Sequence, residues 1–216
     1  GLAGACRLAY TPDLALSLNN LADCRSGVVD REGALGAARE EVRLRRALAE
    51  VSPQAYTPDL AMSLNNLATF LPEVGDREGA LEAAREAVRL RRALAEASPA
   101  AYTPDLAMSL NNLANCLSEE GDREGALEAA REAVELYRGL AADSPVAYTP
   151  DLAGSLNNLA NILSAVGEQD SALETFVEGF DGLSPAVRAR LLVARATWRD
   201  DGGEAGDVVA AAREAD

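Results

Sequence analysis

The amino-acid sequence predicts an all-α fold of antiparallel helix hairpins stacked into a solenoid. Three observations carry this. The string YTPDLA begins at Tyr10, Tyr56, Tyr102 and Tyr148, always 46 residues apart, and SLNNLA follows from Ser17, Ser63, Ser109 and Ser155. The copies at 56–101 and 102–147 share 36 of 46 positions, which fixes the register. Within a copy, apolar residues recur at helical spacing in two runs separated by a glycine. One hairpin cannot bury both of its faces, whereas stacked hairpins can, so the repeat implies an array.

In chain order, residues 1–9 read as the tail of a preceding helix, leaving an open stacking face. Repeat 1 covers 10–55 and is degenerate. Arg25 stands where repeat 2 has Leu71, and Val29 where it has Gly75. Drift at a terminal repeat and an interface with an upstream domain both account for this. Repeat 2 covers 56–101. Thr57 is expected to N-cap its first helix, with Pro58 at N1, Asp59 favouring the positive helix start, and Tyr56 stapled onto the first turn. Leu60, Leu64, Leu67, Ala68 and Leu71 form the apolar stripe of this helix. Pro72 should end or bend it early, as tolerated variation or as a feature of the binding surface. Gly75 suits a left-handed stop, and Asp76 should cap a second helix from about Arg77 to Glu96. The pair Ser98-Pro99 breaks that helix.

Repeat 3 covers 102–147 in the same pattern. Repeat 4, at 148–185, loses the long second helix because Ser184-Pro185 arrives early. Residues 186–216 then read as a capping pair of amphipathic helices with Trp198 in the cap core. The acids Asp200, Asp201, Glu204 and Asp207 lack the order of an EF-hand and read as a solvated turn.

Composition explains the packing and excludes chemistry. Ala fills 44 positions and aromatic residues only 4% of the chain. Small Ala at facing positions lets helix axes approach near the short end of the ~8–10 Å range. All 20 basic residues are Arg, and His is absent. No His means no Ser-His-Asp or Cys-His site and no His metal ligand. No Lys means no Schiff base and no Walker A loop. With no catalytic constellation and no cofactor motif, the chain reads as a non-enzyme. A net charge of −15 argues against a nucleic-acid backbone as principal partner. Cys6, Cys24 and Cys116 match neither CxxC nor a disulfide framework, so a reduced, cytoplasmic setting is expected. Cys24 and Cys116 share a repeat position with Phe70 and Ile162, which points to packed thiols. No apolar run approaches the roughly 18 residues of a membrane span, and the start lacks a signal-peptide pattern. Position 1 is Gly, so an excised piece or a processed product is expected.

The residues Leu64, Leu67-Ala68, Leu71, Gly75, Ala80, Ala84 and Ala87 resemble the tetratricopeptide signature in spacing. Leu replaces the two aromatics of the first helix, called A below, and Ala replaces the aromatic of the second, B. The 46-residue period exceeds the usual 34, with the added length placed in helix B and the SPxAYTPD connection. In this it resembles the long-repeat branch typified by kinesin light chain, which also carries LNNLA. The resemblance spans about residues 10–185. It implies a right-handed superhelix, a protein or peptide as partner, and a place within a larger bacterial regulatory or signalling protein.

A helical wheel places Met62, Asn66, Thr69 and Glu73 opposite the apolar stripe of helix A in repeat 2. The equivalents are Leu16, Asn20 and Asp23, then Met108, Asn112, Asn115 and Glu119, then Asn158 and Asn161. By the resemblance, helix A lines the concave groove, and the Asn at position 66 and its equivalents match a ladder that hydrogen-bonds a peptide backbone. An amide both donates and accepts, so it can hold an extended backbone without reading its sequence. Copying by duplication would leave the same pattern. The neighbouring Asn65 series lies on a flank, suited to holding adjacent repeats together.

Net charge runs 0, −2, −6, −4 and −3 over residues 1–55, 56–101, 102–147, 148–193 and 194–216. The acidic C-terminal half would favour a basic partner segment, or simply keep the helix faces solvated. The clusters Arg43, Arg45, Arg46 and Arg89, Arg91, Arg92 alternate with Glu at i±3 or i±4, which favours intrahelical pairs over an anion-binding patch. The leading functional expectation is a protein–protein interaction scaffold. The alternative is head-to-tail self-association through the open N-terminal face into dimers or filaments.

Overall fold

A computed structural model of the chain describes residues 31–168 together with 171, 172, 174 and 175. The described residues form six α-helices: α1 (Arg31–Val51), α2 (Pro53–Phe70), α3 (Arg77–Ala97), α4 (Pro99–Glu119), α5 (Arg123–Asp143) and α6 (Pro145–Ala165). A short 3-10 turn, Leu71–Val74, follows α2. The expected partial helix 1–9, helix A of repeat 1 and the cap 186–216 with Trp198 lie outside the described residues.

Two kinds of joint alternate along the chain. Helix A passes to helix B through a glycine turn. After α2, Gly75 adopts φ +81°, and after α4 Gly121 adopts φ +82°. The Asp76 amide reaches back to the Leu71 carbonyl at 3.0 Å and Gly75 N to Pro72 O at 3.0 Å, a Schellman arrangement that satisfies the last carbonyls. Asp76 then caps α3, its Oδ1 accepting from Gly79 N at 3.0 Å, and Asp122 does the same for Gly125. A Cβ on Gly79, at the third helical position, would sit 2.7 Å from the Asp76 carboxylate, so a larger residue there would push the capping side chain aside. Gly75 and Asp76 thus act as the sequence predicts.

Helix B passes to the next helix A through one serine. Ser52 N donates to Leu48 O at 2.9 Å, ending α1, and Ser52 O accepts from Ala55 N and Tyr56 N, starting α2. Ser98 and Ser144 repeat this between α3 and α4 and between α5 and α6. This corrects the expected helix start. Thr57 is not the N-cap and Pro58 is not N1. Helix A begins at Pro53, and Pro58, Pro104 and Pro150 all lie inside it. Ser-Pro supplies the N-cap and N1 pair five residues earlier. The internal proline forfeits one hydrogen bond near the helix start, a loss the packed helix tolerates. The extra repeat length therefore resides in two long helices rather than in a connection. Tyr56 does not staple an N′ position, since it lies within the helix.

Pro72 shortens its helix as expected. α2 stops at Phe70 after 18 residues, where α4 runs for 21.

Packing divides the chain into two compact units, 1–129 and 130–216, each taken by itself. In the first, α1 packs on α2, α2 on α3 and α3 on α4, and the two A helices, α2 and α4, also touch. Leu35, Ala38 and Val42 of α1 meet Leu60, Leu64 and Leu67 of α2, Leu71 of the 3-10 turn, and Ala80, Ala84 and Ala87 of α3. The fully enclosed Ala84 and Ala87 show why alanine serves where rings would not fit. In the second unit the buried residues include Ala130, Ala133, Val134 and Tyr137, then Leu156, Leu159, Ala160, Ile162 and Leu163.

Candidate functional site

Helix A presents the residues expected to meet a partner. Met62 and Asn66 of α2 are half-buried, while Thr69 and Glu73 are exposed. On α4, Asn112 is half-buried, and Met108, Asn115 and Glu119 are exposed. On α6, Asn158 is half-buried and Asn161 exposed. All ten lie on accessible surface and off the buried stripe. Because α2 and α4 touch, the Met62/Asn66 and Met108/Asn112 sets belong to neighbouring helices. Thr69 spends its hydroxyl locally, donating to Asn66 O at 2.7 Å. Leu16, Asn20 and Asp23 lie outside the described residues, as does the N-terminal face expected to allow self-association. The Asn65 series does not share one environment: Asn65 is buried with its Oδ1 accepting no hydrogen bond, Asn111 is half-buried and Asn157 is exposed.

A second polar constellation was not foreseen. It lies at the joint between helix B and the following helix A. Arg45 is only 5% exposed and Glu41 1%. Glu41 Oε1 accepts from Arg45 Nε at 2.9 Å and from Ser63 Oγ at 2.7 Å, and Arg45 Nη1 pairs with Asp59 at 2.6 Å. One repeat on, Arg91 pairs with Asp105. In the next copy Tyr137 takes the Arg position, with Asp151 and Ser155 in register. Burial and the nearby Asp151 and Tyr148 push the Tyr137 phenol up to about 12. Burial lowers Arg91 from its ordinary value.

The arginine expectation therefore needs correction in part. Arg43 pairs with Glu40 at 2.7 Å and Arg45 with Glu41, both within one helix as expected. Arg45 and Arg91, however, are buried and not on a solvated face. Arg46 leaves its own helix and forks onto Glu86 of α3 at 2.7 and 2.8 Å, joining successive B helices, as Arg39 does with Asp76. Burying a guanidinium is tolerated because each is paired with a carboxylate.

Cys116 is buried among apolar neighbours, and burial pushes its thiol up, so it packs as the sequence predicts. Among the described residues no group of His, Cys, Asp or Glu could hold a metal, and no helix is long and apolar enough to cross a membrane.

A profile described as tetratricopeptide repeat matches residues 60–99, 106–145 and 152–180, just over half of the chain. The chain belongs to the tetratricopeptide repeat family. Its repeats match, in structure, the crystallised nearly identical TPR-like repeats of a Podosopora anserina protein described as a putative kinesin light chain. The TM-score is 0.66 at 17% identity, with 92% of each chain covered. A point variant of that protein gives 0.67 at 18% identity, with 95% of each covered. No curated protein matches. At these identities the likeness shows the fold. The tetratricopeptide repeat is in general a protein-interaction module and typically non-catalytic.

Proposed function

We propose that these tetratricopeptide repeats form a non-enzymatic scaffold that binds an extended peptide or protein segment along the accessible faces of its A helices. The observation that carries this is the repeated Met/Asn pair on two touching helices, Met62 and Asn66 on α2 and Met108 and Asn112 on α4. The amides offer donor and acceptor to a peptide backbone, and the thioethers offer adaptable apolar contact. Thr69 and Asn115 border these pairs, and Asn158 and Asn161 are the equivalents on α6 of the second unit. Glu73 and Glu119 add negative charge. The exposed Glu119, Glu120, Asp122 and Glu124 make the third repeat the favoured end for basic side chains. The scaffold would serve a larger bacterial regulatory protein in the cytoplasm.

The test is capture by the immobilised chain from a lysate, comparing the natural sequence with an Asn66→Ala/Asn112→Ala double variant of unchanged helicity. Selective loss of captured species from the double variant is the expected result. Identical capture profiles would sink the asparagine ladder.

A further inference from the structure

Among the described residues, three B-to-A joints carry one polar position set in three versions. Reading across the 46-residue register, Glu41, Ala87 and Ala133 correspond, as do Arg45, Arg91 and Tyr137, and Ser63, Ser109 and Ser155. In the first joint the Glu41 carboxylate is the common acceptor for Arg45 Nε and Ser63 Oγ. In the second, Ala87 ends at Cβ, yet the arginine and the serine remain. Arg91 is 3% exposed and Ser109 fully buried, and neither Arg91 Nε nor Ser109 Oγ has a hydrogen-bond partner. In the third joint the arginine is gone as well. Only the second joint keeps both donors of a carboxylate site without the carboxylate.

We propose that the joint between α3 and α4 is a buried binding site for a small monocarboxylate, formate or acetate, held by Arg91 Nε and Ser109 Oγ beside Ala87. Formate, or acetate turned with its methyl clear of the Ala87 Cβ, carries the same carboxylate as a glutamate, so it can bring one oxygen toward the position that Glu41 Oε1 holds in the preceding repeat. Both donors would then be satisfied by one acceptor atom, as they are there. The charge arrangement has the same precedent. Arg45 is ion-paired with two carboxylates, Glu41 and Asp59, whereas Arg91 is ion-paired with Asp105 and feels Asp59 only at longer range. The Asp105 side chain is 41% exposed, so the guanidinium reaches the solvent boundary at its Nη1 end while Nε stays inside. Burial lowers the Arg91 pKa from its ordinary value without discharging the guanidinium, so a buried cation remains at this joint.

The test is denaturant unfolding of the full 216-residue chain at pH 7 in sodium acetate or formate, against sodium chloride of equal ionic strength. A ligand bound only by the folded state raises the folded-to-unfolded ratio about 100-fold at 100 times its Kd. Acetate and formate should raise the midpoint of the natural chain in a saturable way. Ala87→Glu should raise the midpoint without added carboxylate and abolish the acetate increment. Arg91→Tyr, the residue of the third joint, should also abolish that increment. Saturation transfer from the protein to the acetate methyl protons should be seen with the natural chain and not with Ala87→Glu. Equal acetate increments in the natural chain and Ala87→Glu would overturn the proposal, as would a midpoint lowered by Ala87→Glu. Density for water alone at the site in crystals grown in acetate would overturn it too.

Discussion

Glu41 and Ser63, 22 residues apart in sequence, meet inside the first joint, where Ser63 Oγ donates to the Glu41 carboxylate at 2.7 Å. Both side chains are 1% exposed, so the bond is made without competition from water. Removing the carboxylate strands the Nε of a buried arginine. Glu41→Ala, though it installs the residue found at the next two repeats, should destabilise the array by about 3 kcal/mol. Urea unfolding monitored by circular dichroism reads this directly. A midpoint shift worth less than about 0.5 kcal/mol would show that Asp59 alone suffices for Arg45.

Arg46 offers the opposite case. Its fork onto Glu86 is well formed, but both partners reach solvent, at 47% and 23% exposure. Solvent and salt screen such a pair, so Arg46→Ala should cost only about 0.5 kcal/mol, and less in about 1 M NaCl than at low salt. The same urea titration at two ionic strengths checks both parts.

The left-handed glycines set the turns. At φ +82°, Gly121 occupies a conformation in which a Cβ costs about 1–2 kcal/mol, although nothing stands within 4 Å of where that Cβ would lie. Gly121→Ala should therefore destabilise by about that amount through backbone strain, and Gly121→Asn by less. Finding the two variants equal would show that the strain is not backbone in origin.

Tyr137 should mark the alkaline limit of stability. Below about pH 10 both the folded and unfolded chain hold the phenolic proton, and the buried neutral ring contributes fully. Between pH 10 and about 12 the unfolded state releases the proton while the folded state keeps it, so stability falls as pH rises. Tyr137→Phe should flatten that portion of the stability profile. Equal slopes in the two proteins, compared by denaturant midpoints across this window, would place the buried phenol's ordinary titration outside the fold's control.

Much of the architecture was legible because its signals are local. Gly75 and Asp76 are adjacent, serve one turn each, and do what their side chains dictate. Pro72 likewise acts on its own helix. Helix A was misplaced at its start because two proline pairs, Ser52-Pro53 and Thr57-Pro58, both satisfy the rule for a first turn. The one nearer the apolar stripe is the wrong one. Ser-Pro recurs in front of all three described A helices, which was the stronger sign. The buried joints were missed for a different reason. Arg45 has Glu41 four residues before it, and Arg91 lies between Arg89 and Arg92, which have Glu86 and Glu96 at such spacing, a pattern that fits an exposed face equally well. The tyrosine at the matching position 137 was the available clue: two long-stemmed cations and a phenol share apolar bulk with a polar tip, as a buried boundary site requires. The accessible Asn and Met series followed from helical periodicity alone, since opposing the apolar stripe suffices to place a residue outside.

Ser52, Ser98 and Ser144 each end one helix and begin the next, with no residue to spare. A joint of one residue holds no slack chain. Tension applied along the polypeptide has no loop to straighten there, and passes from rod to rod until a helix frays. Lengthening such a joint by even one residue would break a hydrogen bond on one side or the other. Added chain is better accommodated at the glycine turns, where side-chain space is open. The repeat thus alternates a rigid coupling with a permissive one.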